Sequence, residues 1–238
     1  MRETASISTG NNLYKIEYTN PYYFEDFGQY VCVAFINKEQ AFNFVKPKLD
    51  VVKKEFPVAY SKALEDSSLL GKIIRIRKAQ ELLLEFYEVY DFARAMSPKA
   101  RDYEEVDFFA NESYMKVKEL SSSVLINIEG VGDTVLLENS GVVPELAHQF
   151  EKLGFVVGTS LKSNCLALVE VKSTITKTQE TFETYPEISI RVIEKGAEKI
   201  SYTRRLSKVA GFDRATVERR RNLAWITEIQ TSFVKECL

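Results

Sequence analysis

The stretch Leu206–Asn222, LSKVAGFDRATVERRRN, constrains the chain more than any other. It opens as an amphipathic segment, breaks at Ala210-Gly211-Phe212-Asp213, and resumes with arginines. Glycine can take the left-handed conformation that ends a helix without a Cβ penalty. Asp213 is a strong N-cap, whose carboxylate can accept from the backbone N–H groups near Ala215 and Thr216. Ile200 to Ala210 therefore reads as one helix with Leu206, Val209 and Ala210 turned inward. A second helix runs from Arg214 with Val217 facing in, and Phe212 plugs the angle between the two. This is how a sharp helix–turn–helix is written. Leu223, Trp225, Ile226, Ile229 and Phe233 then extend the second helix as an amphipathic element, suited to docking on the body of the protein or on another subunit.

Charge is placed unevenly along the 238 residues. From Gly196 to Leu238 there are nine Lys/Arg and five Asp/Glu, a net +4 that leaves -6 on the rest of the chain. Such asymmetry is expected of a nucleic-acid-facing module. The three cysteines are far apart with no Cys-x-x-Cys, which argues against a disulfide framework and a cysteine zinc site. The opening MRETASISTGNN has no apolar core of the kind a secretory signal carries, and no apolar run reaches the roughly 18 residues of a membrane span. The expected compartment is the cytoplasm.

The stretch LSKVAGFDRATVERRRN resembles the helix-turn-helix of lac-repressor-type DNA-binding proteins. Ala210, Gly211, Thr216, Val217, Arg219 and Asn222 match that pattern, and Phe212 and Asp213 replace its usual Val and Ser. The resemblance implies a recognition helix beginning at Arg214. Arg214, Ala215 and Arg219 would face base edges, and Thr216 would meet a phosphate. An arginine fork grips guanine O6 and N7 together. Arg204, Arg205, Arg220 and Arg221 would hold phosphates, which positions a module without reading sequence. The implied partner is double-stranded DNA, and a homo-oligomer follows from the value of two linked half-sites.

The rest of the chain reads as mixed α and β. Tyr30–Phe35 is an expected strand; Asn37 caps a helix that Pro47 kinks or restarts and Pro57 closes; Ser67–Ala95 is a long packing helix. Arg101–Glu119 reads as loop with a short element. Val124–Glu129, a turn at Gly130–Asp133, and Thr134–Glu138 read as a hairpin, followed by a helix from Pro144 to Leu153. FVVGTSL, CLALVEVKSTIT and ISIRVIE read as strands. The expected fold class is α+β with an antiparallel sheet and a C-terminal helical module, in regions 1–120, 121–195 and 196–238.

Two further readings compete with DNA binding. One is a non-enzymatic structural or assembly protein, a virion or complex component, whose terminal helix is the interaction element. The other is a nuclease: Glu170-Val171-Lys172 resembles the second half of the nuclease motif of an Asp followed by (Asp/Glu)-x-Lys. Glu170 would hold Mg²⁺ with an upstream acid, Asp133 or Glu138, while Lys172 stabilises the attacking water or the phosphate. His148, the single histidine, has no placed nucleophile and reads as a surface residue. The leading expectation is a DNA-binding protein that is not an enzyme, with no cofactor, no metal and no membrane partner.

Overall fold

Buried side chains recur every three to four residues in some segments and every two in others, and helices and strands follow that division. The computed structural model describes residues 4–9, 12–159 and 163–238, with side chains from residue 17 onward. The fold is α+β. In chain order the elements are β1 (Thr4–Thr9), β2 (Asn12–Tyr18), β3 (Tyr22–Phe24), β4 (Gln29–Val31), β5 (Ala34–Phe35), α1 (Lys38–Leu64), α2 (Leu69–Met96) and α3 (Glu104–Ser122). There follow β6 (Leu125–Val131), α4 (Thr134–Ser140), α5 (Val142–Lys152), β7 (Val156–Val157), β8 (Cys165–Lys172), β9 (Thr176–Lys177) and β10 (Phe182–Thr184). The chain ends with β11 (Glu187–Glu194), β12 (Ala197–Arg205), β13 (Val209–Gly211), α6 (Arg214–Glu228) and α7 (Val234–Cys237). The residues group into two compact units, Met1–Ala59 with Ala79–Asn111 and Tyr60–Lys78 with Glu112–Leu238, rather than breaking after 120 and 195. The division cuts through α1, α2 and α3, so no composition shift marks it.

In the first unit, β1, β2 and β5 form an antiparallel sheet, and β3 and β4 a hairpin turned at Gly28, whose φ is +60°. The hairpin strands leave their aromatic rings outside: Tyr22, Phe27 and Tyr30 are 67%, 73% and 76% exposed. The expected strand Tyr30–Phe35 is two short ones. Helix α1 runs straight through Pro47 and Pro57, which were expected to interrupt it. An interior proline forfeits a backbone hydrogen bond. The stripe Phe42, Val45, Leu49, Val52 and Phe56, buried at helical spacing along the whole segment, outweighs that loss. Arg101–Glu119 is mostly helix as well. Glu104, Glu105 and Asp107, an unhelpful run for a buried loop, stand in the first turn of α3, where the helix dipole favours acids. Tyr103 donates to Asp50 at 2.5 Å, and Lys46 reaches the same carboxylate from one turn earlier. Lys46 and Tyr103 together hold the Asp50 carboxyl below its ordinary range.

The second unit is built on a five-stranded sheet ordered β12-β11-β8-β6-β7. Strands β12, β11 and β8 are antiparallel, as expected, but β6 runs parallel to both β8 and β7. A parallel pair needs a crossover. Accordingly Thr134–Glu138, read as the returning arm of a hairpin, is instead helix α4. Asp133 caps it, accepting from Leu136 N at 2.9 Å, so the Gly130–Asp133 turn leads into a helix rather than back into a sheet. Of the expected strand FVVGTSL only Val156–Val157 is strand, and its end lies outside the described residues.

One face of this sheet is the core. Cys165, Ala167, Val169 and Val171 of β8 alternate inward with Ile188, Ile190 and Val192 of β11. Leu146 and Phe150 of α5 are fully buried, with Phe150 edge-on to both Phe155 and Phe233. Glu194, only 1% exposed, ends β11 and has no cation beside it among the described residues. Its two carboxylate oxygens accept from Leu69 N at 2.9 Å and Leu70 N at 3.3 Å, the first backbone donors of α2. The helix N-terminus thus supplies the positive end that a buried carboxylate needs.

Two outcomes follow from this packing. Glu194→Ala strands two buried N–H groups and is expected to lower the unfolding free energy by about 1–3 kcal/mol in urea melts. Cys165 is buried, and burial pushes its thiol up to about 12, whereas Cys32 is exposed. A maleimide at neutral pH is expected to label native Cys32 and spare Cys165, with Cys165 reacting only after denaturation, as read by peptide mass mapping.

Candidate anion-binding site

The stretch Leu206–Asn222 holds one helix, not two. Ala197–Arg205 is strand β12, paired along its length with β11, and Val209–Gly211 is strand β13, paired with β10. The expected first helix, Ile200–Ala210, is therefore absent, and with it the helix-turn-helix. Alternation decides the outcome: Ile200 and Tyr202 are buried and Ser201 and Thr203 exposed, a period of two. Gly211 lies in extended strand rather than in the left-handed region. A Cβ there would sit 3.2 Å from side-chain carbons of Thr216 and Val217, so close approach to α6 is what the glycine allows. Phe212 plugs nothing and is 86% exposed.

Helix α6 begins where expected. Asp213 caps it, accepting from Thr216 N at 2.7 Å and Thr216 Oγ1 at 2.8 Å, and these bonds hold the Asp213 carboxyl below its ordinary value. Thr216 is thereby tied to its own cap. The inward stripe is Val217, Arg221, Trp225, Ile229 and Phe233, one residue every four. Each such step drifts about 40° around a regular α-helix. The turn Ile229–Phe233 is a π-turn, with i→i+5 bonding, which brings Phe233 back onto the buried face. Trp225 is fully buried and donates from its indole to Glu187 O at 3.1 Å.

Arg221 occupies a core position in this stripe and is 6% exposed. Its guanidinium lies 5.0 Å from the centre of the Trp225 ring, and Nε and Nη2 donate to Asn222 Oδ1 at 3.1 and 3.0 Å. Asn222 in turn donates to Asn139 O of α4 at 2.8 Å. Among the described residues no carboxylate lies within ion-pair distance of Arg221, and burial pulls its pKa below the ordinary arginine value. It lines a cavity of about 800 Å³ between α4, the chain leaving β8, and α6. Arg214, Arg219, Asp133 and Glu218 share that lining with Asn139, Ser173 and the apolar Val135, Leu136, Ile175, Leu223 and Ile226. Ala215 lies on the rim.

The other arginines are engaged elsewhere. Arg214 pairs with Glu218 at 3.0 Å, Arg204 with Glu236 at 2.6 Å, and Arg220 donates to Ala210 O at 2.8 Å. Arg205 stacks on the Tyr185 ring at 5.0 Å. Arg219 is exposed and has no ion-pair partner among the described residues. Arg204, Arg205, Arg214 and Arg220 thus have partners within the protein, Arg219 has no ion-pair partner among the described residues, and Arg221 lies in the core. The terminal helix is docked on its own chain through Trp225, Ile229 and Phe233.

The nuclease constellation is not assembled. Lys172 pairs with Glu170 at 3.0 Å on the outer face of β8. The parallel pairing of Val131 with Glu170 does carry Asp133 toward that strand end, but Asp133 is held by the N-terminus of α4. No group of three or more potential metal-ligating His, Cys, Asp or Glu side chains is found among the described residues. His148 is exposed on α5. The sequence reading named Arg221 as an exposed phosphate contact, whereas it is buried, and it missed Asn139 and the apolar wall. The four-residue spacing Val217–Arg221–Trp225 was the available signal.

No protein-family model matches the chain, and no curated protein does. Among solved structures the chain is similar to a chain described as a lipoprotein from Caulobacter crescentus CB15, at 12% identity and a TM-score of 0.34, covering 50% of this chain and 92% of that one. It is also similar to a lipoprotein from Neisseria meningitidis, at 10% identity and a TM-score of 0.30, covering 46% of this chain and 99% of that one. Neither is described as DNA-binding. The expectation of a cytoplasmic DNA-binding protein is withdrawn, because the segment expected to form the first helix of its helix-turn-helix is strand over Ile200–Arg205 and Val209–Gly211. No described helix is long and apolar enough to cross a membrane.

A buried arginine without a carboxylate is costly to folding. Arg221→Met, which keeps an unbranched chain over Trp225, is expected to leave the unfolding free energy unchanged or raise it by about 1–4 kcal/mol in guanidinium melts. A loss of more than ~1 kcal/mol would show instead that the guanidinium holds the fold together.

Proposed function

We propose that the second unit is a binding module and that the cavity between α4 and α6 receives an anionic group of its ligand. The observation that carries this reading is Arg221: a guanidinium held in the core at 6% exposure, stacked on Trp225, hydrogen-bonded only to a neutral amide, and facing a cavity with Arg219 at its rim. Buried charges are ordinarily paired. Here an anion entering the cavity completes the pairing. Two roughly planar arginine forks recognise a carboxylate or phosphate oxygen pair through charge-assisted bonds, which are about twice as strong as neutral ones. A cavity of about 800 Å³ is in the size range of small-molecule sites.

Trp225 is the chain's single tryptophan and lies under the Arg221 guanidinium, so its fluorescence reports on the surroundings of that group. Titrating the full chain with acetate, octanoate and inorganic phosphate at low ionic strength is expected to give a saturable emission change with at least one of them. Arg221→Met is expected to abolish the change, while Arg220→Ala, whose side chain is tied to Ala210 O and lies outside the cavity, leaves it intact. No saturable response to any of the three, or an equal response in Arg221→Met, overturns the reading.

A further inference from the structure

From the same cavity, and resting on its being an anion site, we infer that its ligand is a monocarboxylate carrying an apolar body. Charge balance is the first reason. Three arginines and two acids line the site, so it presents one net positive charge. The Arg214–Glu218 pair closes on itself at 3.0 Å, leaving Arg219 and Arg221 against Asp133. Asp133 caps α4, where its Oδ1 takes the Leu136 N–H. One negative charge neutralises this arrangement. A dianion such as phosphate at neutral pH brings a second charge that nothing in the lining compensates and that Asp133 repels.

The apolar wall is the second reason, and it is independent of the first. Val135 and Leu223 are 66% and 61% exposed, and both border the cavity. Leu136, Ile175 and Ile226 are half-buried around the same space. A hydrated polyanion would leave these side chains against water. A short hydrocarbon covers them, and each methylene removed from water strengthens binding roughly fourfold. A guanidinium with one face over the Trp225 ring offers its remaining N–H groups edge-on, which suits a planar carboxylate.

The test compares octanoate, acetate, 1-octanol and pyrophosphate on the full chain, by Trp225 fluorescence with calorimetry as a second reading. Octanoate is expected to bind at least about tenfold more tightly than acetate or pyrophosphate, and 1-octanol to give no saturable binding. Pyrophosphate or acetate matching octanoate overturns this assignment while leaving the anion site standing. Octanol matching octanoate overturns it by making the carboxylate irrelevant. Binding by none of the four removes both the assignment and the anion site beneath it. Val135→Ser with Leu223→Ser alters only exposed side chains. The pair is expected to weaken octanoate severalfold and leave acetate unchanged, and an unchanged octanoate affinity overturns the apolar-body claim. Glu218→Gln, which adds one net positive charge, is expected to raise affinity for pyrophosphate severalfold relative to octanoate; an unchanged ratio contradicts the charge-balance argument.

Discussion

The second unit depends on how α6 is pinned to the sheet. Val217, Trp225, Ile229 and Phe233 are all fully buried, and the indole N–H is satisfied by Glu187 O. These four sit one residue in four along the helix, and the position between the first two belongs to Arg221. Burying an apolar stripe of this spacing carries whatever stands at that position inward. The guanidinium is consequently drawn from water by the packing of its neighbours, and the ring of Trp225 becomes one wall of its surroundings. Fully burying large apolar side chains contributes roughly 1.5–3 kcal/mol each. Several of them suffice to hold one misfit cation in place. The π-turn at Ile229–Phe233 belongs to the same account, since without it the stripe would rotate off the sheet before Phe233.

Around that helix the remaining arginines are distributed among protein partners. Glu218, Glu236 and the Ala210 carbonyl engage Arg214, Arg204 and Arg220, and the Tyr185 ring engages Arg205. Exposed pairs of this kind contribute little to stability individually. Their consequence is geometric: each fixes a long side chain that would otherwise be free to search for a ligand. The cationic excess of the last forty-odd residues thus resolves into local pairs plus two arginines, Arg219 and Arg221, at one cavity.

Much of the helical content was legible from periodicity. Ser67–Ala95 reads as a long helix because its apolar residues recur at three and four, and α2 is that helix. Asp213 was readable as a cap because a short acidic side chain ahead of an amphipathic run has few other uses. Where the reading failed, local signals were outvoted. Two prolines in α1 were overruled by a continuous buried stripe, and a charged segment became α3 because its acids fall in the first turn. Thr134–Glu138 reads as strand on its β-branched and apolar residues, yet β6 pairs in parallel with β8, and such strands cannot be joined by a hairpin. Gly211 was assigned to a turn for its backbone freedom, whereas it serves by lacking a side chain beside Thr216 and Val217.

By itself the sequence determined the α+β class, the start of α6 at its aspartate cap, and the inward Val217, because caps and hydrophobic spacing act within a few residues of chain. Of its apolar run Leu223, Trp225, Ile226, Ile229 and Phe233, three are buried, Ile226 is half-buried and Leu223 is exposed. Only the tertiary structure decided that Ile200–Arg205 is strand, since its fate depends on β11 lying alongside to take its backbone hydrogen bonds. Only the tertiary structure placed Asn139, Ser173 and Leu223 around Arg221, because these residues come from α4, the end of β8 and α6. Which arginine stays unpaired depends on carboxylates far away in the chain, such as Glu236 for Arg204 at 32 residues' remove, and that information is written in no local stretch.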